Sequence, residues 1–334
     1  MKEELAKKVD LPRSVRWRSW RQGFLSRSWR WYSLDRNDPR QYLSDYVRFI
    51  RTPFINGRYS VVLDDKLLFY EVLSRHRGLL PARYCLLGHR GVQNLSVDRA
   101  VRSVEDVLRL LDDVGRLVLK PVGGGGGVGV HVLDSRDGYR DNGRPVSRQV
   151  IAGLLSTPRG HLVTEFVRQH PFSAEFLPTS ANSIRILTMW DYDAGRPFVA
   201  VAVHRFASRM GELVDNFGRG GISVAIDPEA GVLGRGVLPQ ADWSPAWHDR
   251  HPATGCQFVG KPIAGWTWAR DRILGLAAEL PYIPYIGWDV VLTEDGLRVI
   301  EANNYSSMDL LQIHKPLLGD ARVARFYRAH GVIR

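Results

Sequence analysis

Five consecutive glycines, Gly123 to Gly127, interrupt an apolar stretch that runs Leu117-Val-Leu-Lys-Pro-Val before them and Val128-Gly-Val-His-Val-Leu133 after them. Removing the Cβ from five residues in a row lets backbone N–H groups press against an anion, and Lys120 just upstream supplies positive charge. The residues after the loop decide its class. The P-loop and the dinucleotide-binding fingerprint both pass from glycines into a helix, whereas Val128, Val130 and Val132 alternate as a strand does, and no Gly-Lys-Ser/Thr closes the loop. The stretch reads as a strand, a phosphate-holding loop and a returning strand; the plainer alternative is a flexible linker or hairpin turn.

The 334 residues are enough for a large core or for two to three small lobes. No apolar run approaches the ~20 residues of a membrane helix, and the first residues lack the apolar segment of a secretory signal, so a cytoplasmic protein is expected. Cys85 and Cys256 are too few and too far apart for a disulfide framework. The net charge of +11 is concentrated early, where Arg13, Arg16, Arg18, Arg21, Arg27 and Arg30 interleave with Trp17, Trp20, Trp29 and Trp31. Such a segment suits nucleic acid, an anionic membrane surface or an acidic patch of its own protein. The plainer reading is an amphipathic helix with its Trp face on the core and its Arg face in water.

The first 60 residues look helical and irregular. Asp64 to Gly78 has a helical pattern with a Gly stop, and Ser103-Val-Glu-Asp106 opens a second helix with a capping box. After a short helix capped by Ser147, strands dominate: 161–167, 183–190, 197–206, 221–227 and 231–233, then a helix over 267–280 and a last hairpin over 285–304.

That hairpin carries Asp289, Glu301 and Asn303. With a three-residue loop, Thr293 lies opposite Leu297 and Asp289 opposite Glu301 on one face; a two-residue turn would put the acids on opposite faces. Opposed carboxylates ~5 Å apart repel unless a cation lies between them, and an all-oxygen set suits Mg²⁺ or Mn²⁺. Alone, the hairpin reads better as a solvated polar edge than as a metal site. His248, His251 and Cys256 match no common zinc set.

The glycine loop with Lys120, the Glu-containing strand after it and the late Asp…Glu-x-Asn hairpin stand in the order found in ATP-grasp enzymes. The chain resembles that superfamily over roughly Tyr42 to Leu318, most closely its sugar-transfer-associated branch, and is similar to glutamate-ligase-like members through Arg205…Val214-Asp-Asn-Phe-Gly-Arg-Gly-Gly221. The resemblance implies an α+β fold of two lobes with antiparallel sheets gripping ATP, here divided into a helical segment 1–60, a small lobe 61–167 and a large lobe 168–334. It implies that Lys66 and Lys120 meet ATP phosphates, that Gly123, Gly124, Gly125, Gly126 and Gly127 fold over them, and that Glu165, Phe166 and Val167 hold the adenine and ribose end; Asn216 joins the nucleotide-binding set, with a turn or ladder residue as its plainer reading. Asp289, Glu301 and Asn303 match metal ligands; Arg185 and Arg205 match positions that steady the transferring phosphoryl group. The implied reaction is ADP-forming ligation, in which a carboxylate becomes an acyl phosphate and passes to an amine or hydroxyl nucleophile. The rivals are a kinase acting on a sugar or other hydroxyl, and a nucleotide-sensing or anionic-polymer-binding protein. The expected partners are a small carboxylate and its acceptor, with anionic, sugar-linked and peptidic molecules as candidates. ATP-grasp enzymes usually begin with an α/β domain, and no βαβ pattern precedes residue 60.

Overall fold

The computed structural model describes residues 4, 9–157, 160–210, 215 and 217–334. The chain opens with helices α1 (Arg13–Arg21), α2 (Ser26–Trp31), α3 (Asp45–Ile50), α4 (Ser60–Asp64) and α5 (Lys66–Val72). The single helix expected over 64–78 is divided. Asp65 is extended and caps α5, its carboxylate accepting from the N–H groups of Leu67 and Leu68 at 2.8 and 3.0 Å. Leu73, at φ −92° and ψ 17°, ends α5, and Ser74–Leu79 follows as a 3₁₀ stretch kinked at His76.

Seven strands form a first sheet: β1 (Arg83–Gly88), β2 (Gly91–Asn94), β3 (Arg116–Pro121), β4 (His131–Asp134), β5 (Arg140–Asp141), β6 (Arg144–Pro145) and β7 (His161–Glu165). They lie in the order β2-β1-β7-β3-β4-β5-β6, antiparallel throughout. Helices α6 (Val104–Val114) and α7 (Arg148–Ser156) pack on it through Val107, Leu111 and Ile151 against Leu117, Leu133 and Val163. The capping box is present at Ser103 and Asp106, and Gly115 ends α6 in the left-handed conformation. The returning strand starts at His131 rather than Val128. Gly126, Gly127 and Gly129 hold φ of +69°, +71° and +71°, which a paired strand does not allow, so the loop runs on to Val130.

From β7 the chain passes to α8 (Pro171–Phe176), and His170 N–H donates to Leu292 O at 2.7 Å, tying this crossing to the second sheet. That sheet comprises β8 (Ile184–Asp191), β9 (Arg196–Phe206), β10 (Ile222–Ile226), β11 (Leu233–Pro239), β12 (Pro245–His248), β13 (Tyr285–Thr293) and β14 (Gly296–Asn303), ordered β12-β11-β10-β9-β8-β13-β14 and again antiparallel. One face packs on α5 and α9 (Trp266–Ala278) through Phe69, Tyr70, Ile273, Ile186, Trp288 and Val290. The first helices of the stretch assigned from sequence to the small lobe are thus seated on the second sheet's core.

The other face is covered by the N-terminal segment together with α10 (Met308–Gln312) and α11 (Ala321–Ala329). Trp29, Trp31 and Tyr32 meet Leu187, Met189, Tyr285 and Phe326 there. The tryptophans therefore divide: Trp29 and Trp31 are core residues, as the amphipathic reading expects, but Trp17 and Trp20 are exposed. No described helix is long and apolar enough to cross a membrane.

Candidate active site

The β13–β14 hairpin reaches the expected pairing by a different route. Its turn has two residues, Glu294 and Asp295, because Thr293 pairs with Gly296 and Leu292 with Leu297. Continued without interruption, that register would place Ile300 opposite Asp289 and turn Glu301 toward the core. A β-bulge at Ile300 inserts one residue and brings Glu301 opposite Asp289. The side chains record the switch: Leu297, Val299 and Ala302 are core residues, with Ile300 and Glu301 both lining the cavity between them. The bulge also frees the Ile300 carbonyl, which accepts from Lys120 Nζ at 3.2 Å.

This hairpin forms one wall of a cavity of about 700 Å³. Lys66, Lys120, Gly123 to Gly127, Glu165, Phe166, Val167, Arg185, Arg205, Asp289, Glu301 and Asn303 all line it. Asn216 lies outside the described residues. A second cavity, about 940 Å³, opens on Glu165 to Val167 and is bordered by Arg116, Arg136, Arg168 and Arg298; it includes neither lysine nor the glycine loop.

The two lysines are set by backbone. The break at Asp65 lets Lys66 N–H donate to Val122 O at 3.0 Å, and Lys66 Nζ then donates to Gly124 O at 3.0 Å and lies 3.4 Å from Glu301 Oε2. Lys120, at the end of β3, is buried 5.5 Å from the ring centre of Tyr70. Burial, with Lys66 adding to it and Glu301 opposing it, pushes the Lys120 ammonium down to about 8. Gly123, Gly124 and Gly125 have open space where a Cβ would be, so this part of the loop presents bare backbone.

Arg185, Asp289 and Glu301 occupy adjacent positions across β8, β13 and β14. Asp289 is gripped from two sides. Arg185 donates to both of its oxygens, Nη2 to Oδ2 at 2.9 Å, and Arg205 Nη2 lies 2.9 Å from Oδ2. Burial acts to raise the Asp289 carboxyl, but the two guanidinium groups override it and hold it well below the usual carboxylate range. Arg185 Nη1 is buried without a hydrogen-bond partner among the described residues. Arg205 also bonds Ser183 Oγ at 3.1 Å through Nε and lies 3.8 Å from Asp215.

Several contributors escaped the sequence reading. Asp215 accepts from Ser183 N–H at 2.7 Å and anchors Arg205; it precedes Asn216 in the Val214-to-Gly221 run, so the signal was there. Tyr305 and Asp309 also line the cavity, and Arg48 of α3 reaches both, Nε donating to Tyr305 Oη at 2.9 Å and Nη1 lying 3.8 Å from Asp309. Nothing in the residues around Arg48 announces a partner more than 250 positions away. Glu165 accepts from Ala82 N–H at 2.9 Å, and Arg116 lies 5.0 Å from the ring centre of Phe166.

Two seven-stranded antiparallel sheets joined through the Glu165-to-His170 crossing, a glycine loop and a late carboxylate hairpin make up the frame of an ATP-grasp protein. The chain belongs to the sugar-transfer associated ATP-grasp family, whose pattern it matches over residues 47–322. Among solved structures it is similar to an ADP complex of PurK, N5-carboxyaminoimidazole ribonucleotide synthetase, at 14% identity over 73% of this chain and 45% of that one, TM-score 0.41. It is also similar to the ATP-grasp ligase PsnB with a minimal precursor, at 16% over 83% and 64%, TM-score 0.41. A third is D-alanine–D-alanine ligase from Bacillus anthracis, at 13% over 81% and 69%, TM-score 0.40. The chain thus spans about half to two thirds of the length of these structures. No curated protein matches it.

Proposed function

We propose that the protein is an ADP-forming ligase, which uses Mg-ATP to activate a carboxylate as an acyl phosphate and passes the acyl group to an amine or hydroxyl nucleophile. The observation that carries this reading is the convergence on one cavity of two buried lysines, a bare glycine loop and the orphaned Nη1 of Arg185. A buried donor without an acceptor is costly, and a phosphate oxygen would satisfy it. Lys66 and Lys120 would hold the phosphates as point charges and the backbone of Gly123 to Gly125 would lie against them. Arg185 and Arg205, planar and permanently charged, suit a phosphoryl group in transfer and an acyl-phosphate oxygen.

For magnesium the test is the donor set. No three His, Cys, Asp or Glu side chains converge among the described residues, so the protein offers two carboxylates and an amide, Asp289, Glu301 and Asn303. Such a set fits an ion whose remaining positions are taken by nucleotide phosphates and water. When bound, the ion would neutralise charge on the phosphates. Asp289 would have to loosen its grip on Arg185 or Arg205, which frees a guanidinium for the phosphoryl group.

The test is incubation with Mg-ATP and pools of carboxylic acids with amines, amino sugars or hydroxyl acceptors. Acid-dependent release of ADP and orthophosphate, with a product whose mass is acid plus acceptor minus water, is the expected outcome. A phosphorylated acceptor that persists would replace the ligase with a kinase.

A further inference from the structure

We infer that the N-terminal helices dock the protein on an anionic lipid surface. Residues 11–34 contain six arginines and no acidic residue. On α1 the inward side carries Val15, Arg16 and the fully buried Ser19, so a 100° step per residue turns Arg13, Trp17, Trp20 and Arg21 outward together. Trp17 and Trp20 are 60% and 52% exposed, and the Arg21 guanidinium lies 4.7 Å from a Trp17 ring centre.

The patch continues onto the next elements. Tyr46 N–H, in α3, donates to Gly23 O at 2.9 Å just beyond the end of α1, and a Cβ on Gly23 would lie 3.2 Å from the Tyr46 Cβ. Tyr46 and Ile50 share one side of α3, four residues apart, and Phe54 follows after another four; they are 57%, 53% and 75% exposed. Exposed rings and an aliphatic side chain interleaved with arginines form an interfacial surface: indoles and Phe enter the headgroup boundary while guanidinium groups meet lipid phosphates. Nucleic acid would use the arginines but give Ile50 no partner, so the apolar half of the patch favours lipid. The opposite side of α3 bears Arg48, which reaches Tyr305 and Asp309 in the cavity wall. One short helix therefore joins this surface to the site, although lipid binding requires neither ATP nor the proposed reaction.

The experiment is sedimentation of the full-length protein with phosphatidylcholine vesicles, with and without about one third phosphatidylglycerol, since anionic lipid attracts each basic residue near the surface. Binding should be at least about tenfold tighter to the anionic vesicles and fall about tenfold or more in W17S/W20S and in I50E, as loss of inserted groups requires. Brominated lipid should quench part of the wild-type tryptophan emission and much less in W17S/W20S. These side chains are exposed, so an unchanged thermal transition in each variant establishes that it is folded. The inference is overturned if neither vesicle sediments the protein, if the variants bind as the wild type does, or if a single-stranded RNA of similar charge binds more tightly than the vesicles. Concentration-dependent self-association lost in the variants, without vesicle binding, would equally overturn it.

Discussion

At the scale of single residues, the site is governed by charges held away from water. Asp289 sits between Arg185 and Arg205, and removing one member of a buried charge network leaves the others uncompensated. Asp289→Asn should therefore lower stability by ~3–5 kcal/mol in chemical denaturation at neutral pH. Because the folded carboxyl is depressed, the stability it contributes is fully present above an ordinary aspartate value of about 4 and is lost as pH falls through the lower folded value. The acid limb of the wild-type stability curve should accordingly be steeper than that of D289N. Lys120 has the opposite character: its ammonium is depressed to about 8, so burial of the charge weakens the fold at neutral pH and the penalty fades as pH rises toward the unfolded value. Lys120→Met should raise the melting temperature while weakening ATP binding, a trade of stability against function. A nucleotide anion beside Lys120 should raise its proton affinity. Calorimetry at about pH 8.5 in buffers of different ionisation enthalpy should show proton uptake on ATP binding by the wild type and less by K120M.

At the scale of elements, the glycine loop and the hairpin show how far residue pattern reaches. That a glycine loop follows β3 is legible from five bare residues and Lys120, but its length is not. The valines at 128 and 130 imitate strand alternation, and only the positive φ of Gly127 and Gly129 shows that the backbone is turning there. In the last hairpin the pairing of Asp289 with Glu301 is legible, but the three-residue turn expected for it is not the one present. The clue lies in parity, since apolar core residues fall at 297, 299 and then 302, a change that regular alternation cannot produce without an inserted residue. The loop also supports a paired prediction. Gly129→Ala combines φ +71° with a Cβ 3.0 Å from Pro121 Cγ, and should cost ~1–2 kcal/mol of stability. Gly125 has no positive φ and open space at its Cβ, so Gly125→Ala should leave stability within ~0.5 kcal/mol. Its methyl would intrude on the bare face of the loop, so ATP affinity measured by calorimetry should fall.

At the scale of the whole molecule, the family match begins at residue 47 and ends at 322, yet the core does not stop there. Trp29, Trp31, Tyr32, Phe326 and Tyr327 lie outside the match and close the back of the second sheet around Leu187, Met189 and Tyr285. The charge of the N-terminal segment is plain in the sequence; its attachment is not, because it depends on contacts between residues almost the full chain apart. Trp31 Nε1 donates to Asp309 O at 2.8 Å, and Leu43 exchanges two hydrogen bonds with Gln312, at 3.0 and 2.9 Å. Arg48 is the inner end of this attachment. It is almost fully buried, lies 3.8 Å from Asp45, and holds Tyr305 and Asp309 at the cavity wall. Arg48→Met should destabilise the fold by ~3 kcal/mol, since buried Asp45 keeps its hydrogen bonds from Leu25 and Ser28 but loses its cation. Arg48→Lys should restore part of that stability without the fork that bonds Tyr305 and approaches two carboxylates. If the N-terminal segment shapes the acceptor side of the site, R48K should bind ATP as the wild type does while the acceptor concentration needed for half-maximal turnover rises several-fold. Equal losses of ATP affinity and acceptor response would instead mean that Arg48 supports the fold alone.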